Sequence, residues 1–286
     1  MPRLILESAL DSECGSCFVT WWPFGETTLA SNFTFMDLLP IRRQLGIIRS
    51  QLMYYGKPFN HRRLKNFYRP FLEPGDLAFD IGSHLGNRSH AWLALGAQVV
   101  ALEPQPACIK YLKRRFGKNP QFTLVEKAVG ATQGTLPLHV SALTPTVSTL
   151  AGEGFRNAIN DATSFELNWE EQLQVPVVTL DDLIAEYGLP KFAKIDVEDF
   201  EVEVLEGLST ALPSLSFEYF SYFNDRAIRC IRLLDQLGEY EYNYSFGESQ
   251  RFQCQSWLPT EHIQMILENF KDSDPSGDIY ARLKGS

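Results

Sequence analysis

The 286 residues contain no apolar run near the roughly 18 residues that a bilayer-crossing helix needs, so no membrane span is expected. The basic start and apolar stretch of a secretory leader are also missing, and Glu7, Asp11 and Glu13 stand where it would lie. A cytoplasmic location is the resulting expectation. Cysteine is scarce. The five residues Cys14, Cys17, Cys108, Cys230 and Cys254 are odd in number and mostly scattered, a poor basis for a disulfide framework. Cys14 and Cys17 form a C-x-x-C pair, but no second close Cys or His pair supplies the remaining ligands of a zinc site. Basic residues are outnumbered, 26 against 35 acids, for a net charge of −9. Phosphate binding needs a basic surface, which argues against nucleic acid as the main partner. There is no internal repeat, no P-loop and no serine–histidine–acid set. His139 and His262 have no visible partners and read as structural.

A chain of this length suits one large domain, or one domain with an extension. Residues 1–70 differ from the rest. Trp21, Trp22, Pro23 and Phe24 show no period, after which Met36 to Tyr55 and Arg62 to Phe71 read as helices. Leu38, Leu39, Leu45, Ile48 and Leu52 recur at roughly helical spacing, with Arg42, Arg43, Arg49, Arg62, Arg63 and Lys65 among the interspersed cations. That basic face reads either as a solvated surface or as a docking surface on the acceptor side of an active site. Residues 71–286 read as the main domain. Strand-like LAFDIG, AQVVALEP, QFTLVEKAV, FAKID and LSFEYF alternate with helical segments, with GTLPLHV as a short extra strand. A helix from Asn224 to Leu237, the strand YEYNYSF, a helix around His262 to Phe270 and the strand DIYARL close the chain. This alternation implies an α/β fold whose central, mostly parallel sheet has helices on both faces, with LAFDI inside the sheet and the last strand antiparallel. The polar region from Leu143 to Gln174 reads as a long loop with a short helix, lying over the site. Thr179 and Asp182 form a T-x-x-D capping box, and Trp92 and Leu95 read as core.

Three segments carry chemistry. In Asp80-Ile81-Gly82-Ser83-His84-Leu85-Gly86-Asn87 a buried strand runs through a glycine turn into a helix, whose first N–H groups point at a ligand. His84 replaces the second glycine of the G-x-G-x-x-G pattern and would crowd a pyrophosphate, whereas a methionine carboxylate is smaller. Glu103 ends the second strand about 20 residues on, where a carboxylate accepts hydrogen bonds from ribose hydroxyls. Lys194-Ile195-Asp196-Val197-Glu198-Asp199-Phe200-Glu201 follows a strand expected beside the first, which places Asp196 and Glu198 at the carboxyl end of the sheet.

With FLEPGDLAFDIGSHLGNRS, ALEPQP, the AVG after the third strand, VPVVTLDDL, KIDVEDFEVEVLEGL and LSFEYF, the chain resembles the FkbM-type family of S-adenosylmethionine-dependent methyltransferases from about Arg69 to Phe220. The resemblance implies a Rossmann-like class I methyltransferase fold, S-adenosyl-L-methionine as cofactor and O-methylation of a hydroxyl or carboxylate on a small-molecule, sugar or peptide acceptor. The residues implied to hold the cofactor are Asp80, Gly82, Ser83, His84, Gly86 and Asn87, then Glu103 and Pro104, then Ala128, Val129 and Asp196. The catalytic candidates are Asp196, His84 and Glu198. Asp196 serves as base or acceptor-orienting group, and His84 serves either as a base with a near-neutral pKa or as a group that orients the cofactor. No metal is expected, because a cation bridging Asp196 and Glu198 has no third ligand in the sequence. Family members typically carry glycine where Asp199 stands, and Asp is among the better substitutes where φ is positive. Two rival readings are a nicotinamide-dependent oxidoreductase, which calls for a tighter glycine motif, and a nucleoside-binding module without catalysis, which the Gly82, Gly86 and Glu103 set opposes.

Overall fold

The computed structural model describes residues 39–162 and 168–285. The Cys14–Cys17 pair, the Trp21–Phe24 segment, and Met36 and Leu38 lie outside the described residues.

Two helices come first, α1 (Leu39–Tyr55) and α2 (Asn60–Tyr68). Alternation then begins with β1 (Leu77–Ile81), α3 (Asn87–Leu93), β2 (Gln98–Leu102), α4 (Pro106–Phe116), β3 (Phe122–Val125), β4 (Ala128–Val129) and β5 (Gly134–Val140). It continues through α5 (Glu153–Ala162), β6 (Glu171–Val178), α6 (Leu180–Tyr187), β7 (Phe192–Ile195), α7 (Glu201–Glu206) and β8 (Ser214–Tyr219). The last elements are α8 (Asn224–Leu237), β9 (Tyr240–Phe246), α9 (Thr260–Glu268) and β10 (Gly277–Leu283).

Seven strands form the main sheet in the order β3-β2-β1-β7-β8-β10-β9. β1 lies inside it, parallel to β2 and β7, and β10 runs antiparallel to both β8 and β9. This is the expected arrangement of an α/β class I methyltransferase-like sheet. Successive residues face opposite layers. Phe79, Ile81, Ile195, Phe217 and Ile279 pack under α6–α9, while Ala78, Phe192 and Tyr280 pack under α2–α4 with Tyr68, Trp92 and Phe116. The second face turns polar toward its carboxyl edge. Asp80, Lys194, Asp196, Ser216, Glu218 and Asp278 share its parity, and Lys194, Ser216 and Asp278 are buried.

Three expectations need correcting. QFTLVEKAV is two strands in two sheets: β3 closes the edge of the main sheet, and β4 joins a separate sheet of order β4-β6-β5. Residues 171–178 are strand β6 and not the end of a loop. Leu173, Val175 and Val177 alternate with polar residues and pack against Leu138 and Val140. The preceding stretch does reach the site, since Pro145, Thr146 and Leu150 line the cleft described below. The basic face of the first helix is the third. Leu45, Ile48 and Leu52 are exposed, and the buried residues are Gly46 and Ser50. Gly46 rests against the backbone of Ala142, where a Cβ would collide with the carbonyl. The basic face is therefore not simply solvated: Arg42 pairs with Glu170 at 3.0 Å and Arg43 with Glu171.

The capping box is formed. The Thr179 hydroxyl accepts from the Asp182 N–H at 3.1 Å, and Asp182 accepts from the Thr179 N–H at 2.8 Å. Thr179→Ala is expected to lower stability by about 1 kcal/mol, and chemical denaturation of the variant checks this.

Candidate active site

The turn after β1 is fixed from three sides. Gly82 has φ 77° and lies so close to the Asp196 carbonyl that no Cβ fits. The N–H groups of Gly82 and Ser83 donate to the Leu102 carbonyl at 3.1 and 2.9 Å, which ties the turn to β2. Asp80, buried at the end of β1, accepts from the Ser89 N–H at 3.0 Å and from its hydroxyl, which ties β1 to α3. Burial raises the pKa of Asp80. Glu103 is the next wall. One oxygen accepts from the His84 N–H and the other from the Gln105 N–H, both at 2.8 Å. Each oxygen retains acceptor capacity. Burial pushes the Glu103 pKa up to about 8 against those two bonds. Ser83 and Asn87, each 6% exposed, leave the Ser83 hydroxyl and the Asn87 amide nitrogen without a protein partner in the same cleft.

His84 sits at φ 48°, edge-on to the Tyr54 ring of α1 at 5.5 Å, and both its ring nitrogens lack a partner. Burial lowers its pKa to about 4, so the ring is neutral near pH 7. This corrects the expectation of a near-neutral pKa. In that state the ring offers a neutral hydrogen-bonding group to the cleft.

Opposite the turn stands the acid end. The Asp196 N–H donates to the Ile81 carbonyl at 3.0 Å, extending the β1–β7 pairing by one step. Lys194, fully buried, places its ammonium 2.7 Å from Asp278 and 3.3 Å from Asp196. The Arg88 guanidinium lies 3.0 Å from Glu248, with Asp196 at 3.8 Å and Asp278 at 3.9 Å. Burial works to raise the Asp196 pKa, but Lys194 and Arg88 outweigh it and hold this carboxylate below its ordinary value. Glu198 is driven well above its ordinary value by burial and by the Asp196 charge. Asp199, where glycine was the expected residue type, has φ 69° and ion-pairs with Arg226 at 2.8 Å.

One cleft gathers these groups. Every candidate named from the sequence lines it except Gly86, which backs onto Leu112 and Phe116 behind the turn.

The methyltransferase FkbM domain family matches residues 80–246, more than half of the chain. The chain belongs to this family of S-adenosylmethionine-dependent methyltransferases, and S-adenosyl-L-methionine is the family's cofactor. A curated relative, the hexuronic acid methyltransferase AglP of Haloferax volcanii, is 26% identical over 149 residues, 51% of this chain and 55% of the relative. The chain thus matches about half the length of that protein. Among solved structures, a TehB-like SAM-dependent methyltransferase from Corynebacterium glutamicum aligns with TM-score 0.44 and 12% identity, over 85% of this chain and 99% of that one. A precorrin-6y C5,15-methyltransferase from Geobacter metallireducens aligns with TM-score 0.39 and 11% identity, over 78% and 87%.

Within this FkbM-family cleft several residues escaped the sequence reading. Tyr54 and Arg88 reach it from helices, where nothing in their local pattern marks them. Glu218 did leave a signal: an acid inside the apolar and aromatic segment LSFEYF is a charge in a buried strand. The same holds for Asp278 at the start of DIYARL.

The raised Glu103 pKa has a consequence for stability. In the unfolded chain Glu103 ionises near pH 4.5, while in the fold it stays protonated to about pH 8. The folded state therefore binds the extra proton, and stability is lost as pH rises across that window, by at most about 1.4 kcal/mol per pH unit. Glu103→Gln, a neutral isostere, should match the wild type near pH 4.5, gain on it up to pH 8 and hold a constant lead above. Denaturation midpoints of the ligand-free proteins across pH 4.5–9 check this.

Proposed function

We propose that the chain transfers a methyl group from S-adenosylmethionine to a hydroxyl oxygen of a small hydroxylated acceptor, with a sugar as the favoured class. One observation carries this reading: the glycine-turn and Glu103 cradle shares a single cleft with the carboxylates of Asp196 and Glu198. Bound S-adenosylmethionine supplies the methyl of its sulfonium and leaves as S-adenosylhomocysteine. On the cofactor side, Glu103 accepts the two ribose hydroxyls, and the Ser83 hydroxyl and Asn87 amide are the unpartnered groups positioned for the methionine end. The backbone at Gly82, Pro104, Ala128 and Val129 frames the nucleoside.

On the acceptor side, carboxylates favour partners that donate hydrogen bonds. Hydroxyls do so and a carboxylate does not, so hydroxyl methylation is favoured over ester formation at this end. Asp196, kept ionised by Lys194 and Arg88, accepts the hydrogen bond of the acceptor hydroxyl and aligns its oxygen. The hydroxyl becomes strongly acidic as the new carbon–oxygen bond forms, so its proton passes to this carboxylate even though Lys194 and Arg88 lower its basicity. Tyr54 brings α1 to the same wall, which supports an acceptor-side role for the N-terminal residues 1–70. The sugar class draws on AglP, whose name specifies a hexuronic acid, and on the density of acceptor groups in the cleft.

Asp196→Asn keeps the shape and removes the charge. Calorimetry is expected to give S-adenosylhomocysteine affinity within about twofold of the wild type, while methyl transfer to hydroxylated sugars falls by about 100-fold or more. Normal turnover in this variant would defeat the role assigned to Asp196. Measured above pH 8, where Glu103 is ionised, Glu103→Gln is expected to do the reverse, weakening S-adenosylhomocysteine by about 1.5–3 kcal/mol, the scale of hydrogen bonds to a charged group. An unchanged affinity would remove Glu103 from the ribose.

A further inference from the structure

The sequence supplies two neighbouring acids, Asp196 and Glu198, and the sheet adds a third. β8 runs parallel to β7 with Ile195 beside Phe217, so the next step of the register brings Glu218 beside Asp196. One carboxylate oxygen each from Asp196, Glu198 and Glu218 lies within 4.8 Å of the other two. Oxygens bound to one calcium ion at about 2.4 Å can be at most about 4.8 Å apart, so the three fit around a single cation.

Two observations outside this spacing point to a missing ligand. Lys194 and Arg88 are shared among Asp196, Asp278 and Glu248, and neither Glu198 nor Glu218 is in an ion pair among the described residues. Glu218 keeps its Oε2 sealed from solvent with no hydrogen-bond partner. Across the cleft, both ring nitrogens of His84 are in the same condition. Buried polar atoms normally have partners, and unsatisfied ones mark an absent water or ion. Three carboxyl groups this close need protons or a cation among them, and a divalent ion binding there displaces the protons.

We propose that Asp196, Glu198 and Glu218 bind one divalent cation at the acceptor end of the cleft. Three carboxylates are hard oxygen ligands, which select magnesium, manganese or calcium over zinc or copper. Three protein ligands leave further coordination positions for water and for an acceptor oxygen. That last role rests on the reading of this end as the acceptor side, whereas occupancy by the ion does not.

The test uses the full chain, stripped with a chelator and saturated with S-adenosylhomocysteine, and titrates Mn²⁺ while electron paramagnetic resonance follows the free ion. One site per chain is expected, with Kd of about 1 mM or tighter. Glu218→Gln and, separately, Glu198→Gln are each expected to weaken Mn²⁺ by about tenfold or more while S-adenosylhomocysteine affinity stays within about twofold. The retained nucleoside affinity shows that each variant is folded, and because Glu198 lies on a turn outside the sheet, its variant decides the matter if Glu218→Gln does not fold. A wild type without a Mn²⁺ site in that range overturns the proposal, as does unchanged Mn²⁺ binding in a folded variant. Failure of S-adenosylhomocysteine to bind the wild type would instead count against the methyltransferase reading, and the Mn²⁺ titration can then be run on the empty chain.

Discussion

A lysine ammonium buried in the middle of a β-sheet constrains everything around it. Lys194 has no access to water, and an unpaired charge there would cost several kcal/mol. Its partners are therefore obligatory. Asp278 on β10 and Asp196 just past β7 meet it from two sides, and β8 passes between β7 and β10 with serines at 214 and 216, side chains small enough to leave room for the bridge. The antiparallel insertion of β10 between β8 and β9 is what brings Asp278 within reach. The same pairing holds Asp196 as an anion at the carboxyl edge, so the electrostatics of the cleft are set by a residue that does not line it.

The acids at that edge are consequently unequal. Asp196 takes the nearby cations and stays ionised, while Glu198, close behind, feels the Asp196 charge and is driven upward. On the far side Glu103 is also raised, chiefly by burial and further by the Asp80 charge, and two backbone N–H groups moderate it. One end of the cleft is thus persistently anionic, and the other presents a carboxyl whose ionisation a polar ligand can shift. This asymmetry is what separates an acceptor end from a nucleoside end in a cleft that is acid-lined throughout.

Much of this was legible in the chain itself, because the parallel strands are buried on both faces and read as apolar runs ended by glycine or an acid. β1, β2 and β7 were found that way, with the Gly82 turn, Glu103 and Asp196 at their ends. β6 was missed because half of its residues are polar: its alternation was present, but the composition of the surrounding stretch outweighed it. QFTLVEKAV hid a break at Glu126-Lys127, where the chain leaves one sheet for another without a glycine or proline to mark it. The facing of the first helix was not legible, because its apolar residues stand exposed while close contact through Gly46 and the Arg42 and Arg43 pairs set its buried side. Lys194 was quoted but given no role, since the need for a partner on β10 depends on a strand order that local pattern does not contain.

The cleft also concentrates backbone strain, and the way it is held explains why the motif tolerates residues other than glycine. His84, Glu198 and Asp199 all have positive φ, a conformation that costs L-residues of order 1 kcal/mol or more each. Each is clamped by a different, distant element. The Glu103 carboxylate takes the His84 N–H, the Thr149 hydroxyl donates to the Glu198 carbonyl, and Arg226 from α8 donates to the Asp199 carbonyl while pairing with its carboxylate. Asp in place of glycine at 199 is thereby compensated by an ion pair that glycine could not make. Because the Thr149 clamp comes from the stretch after β5, the segment over the cleft and the acid turn are mechanically one unit.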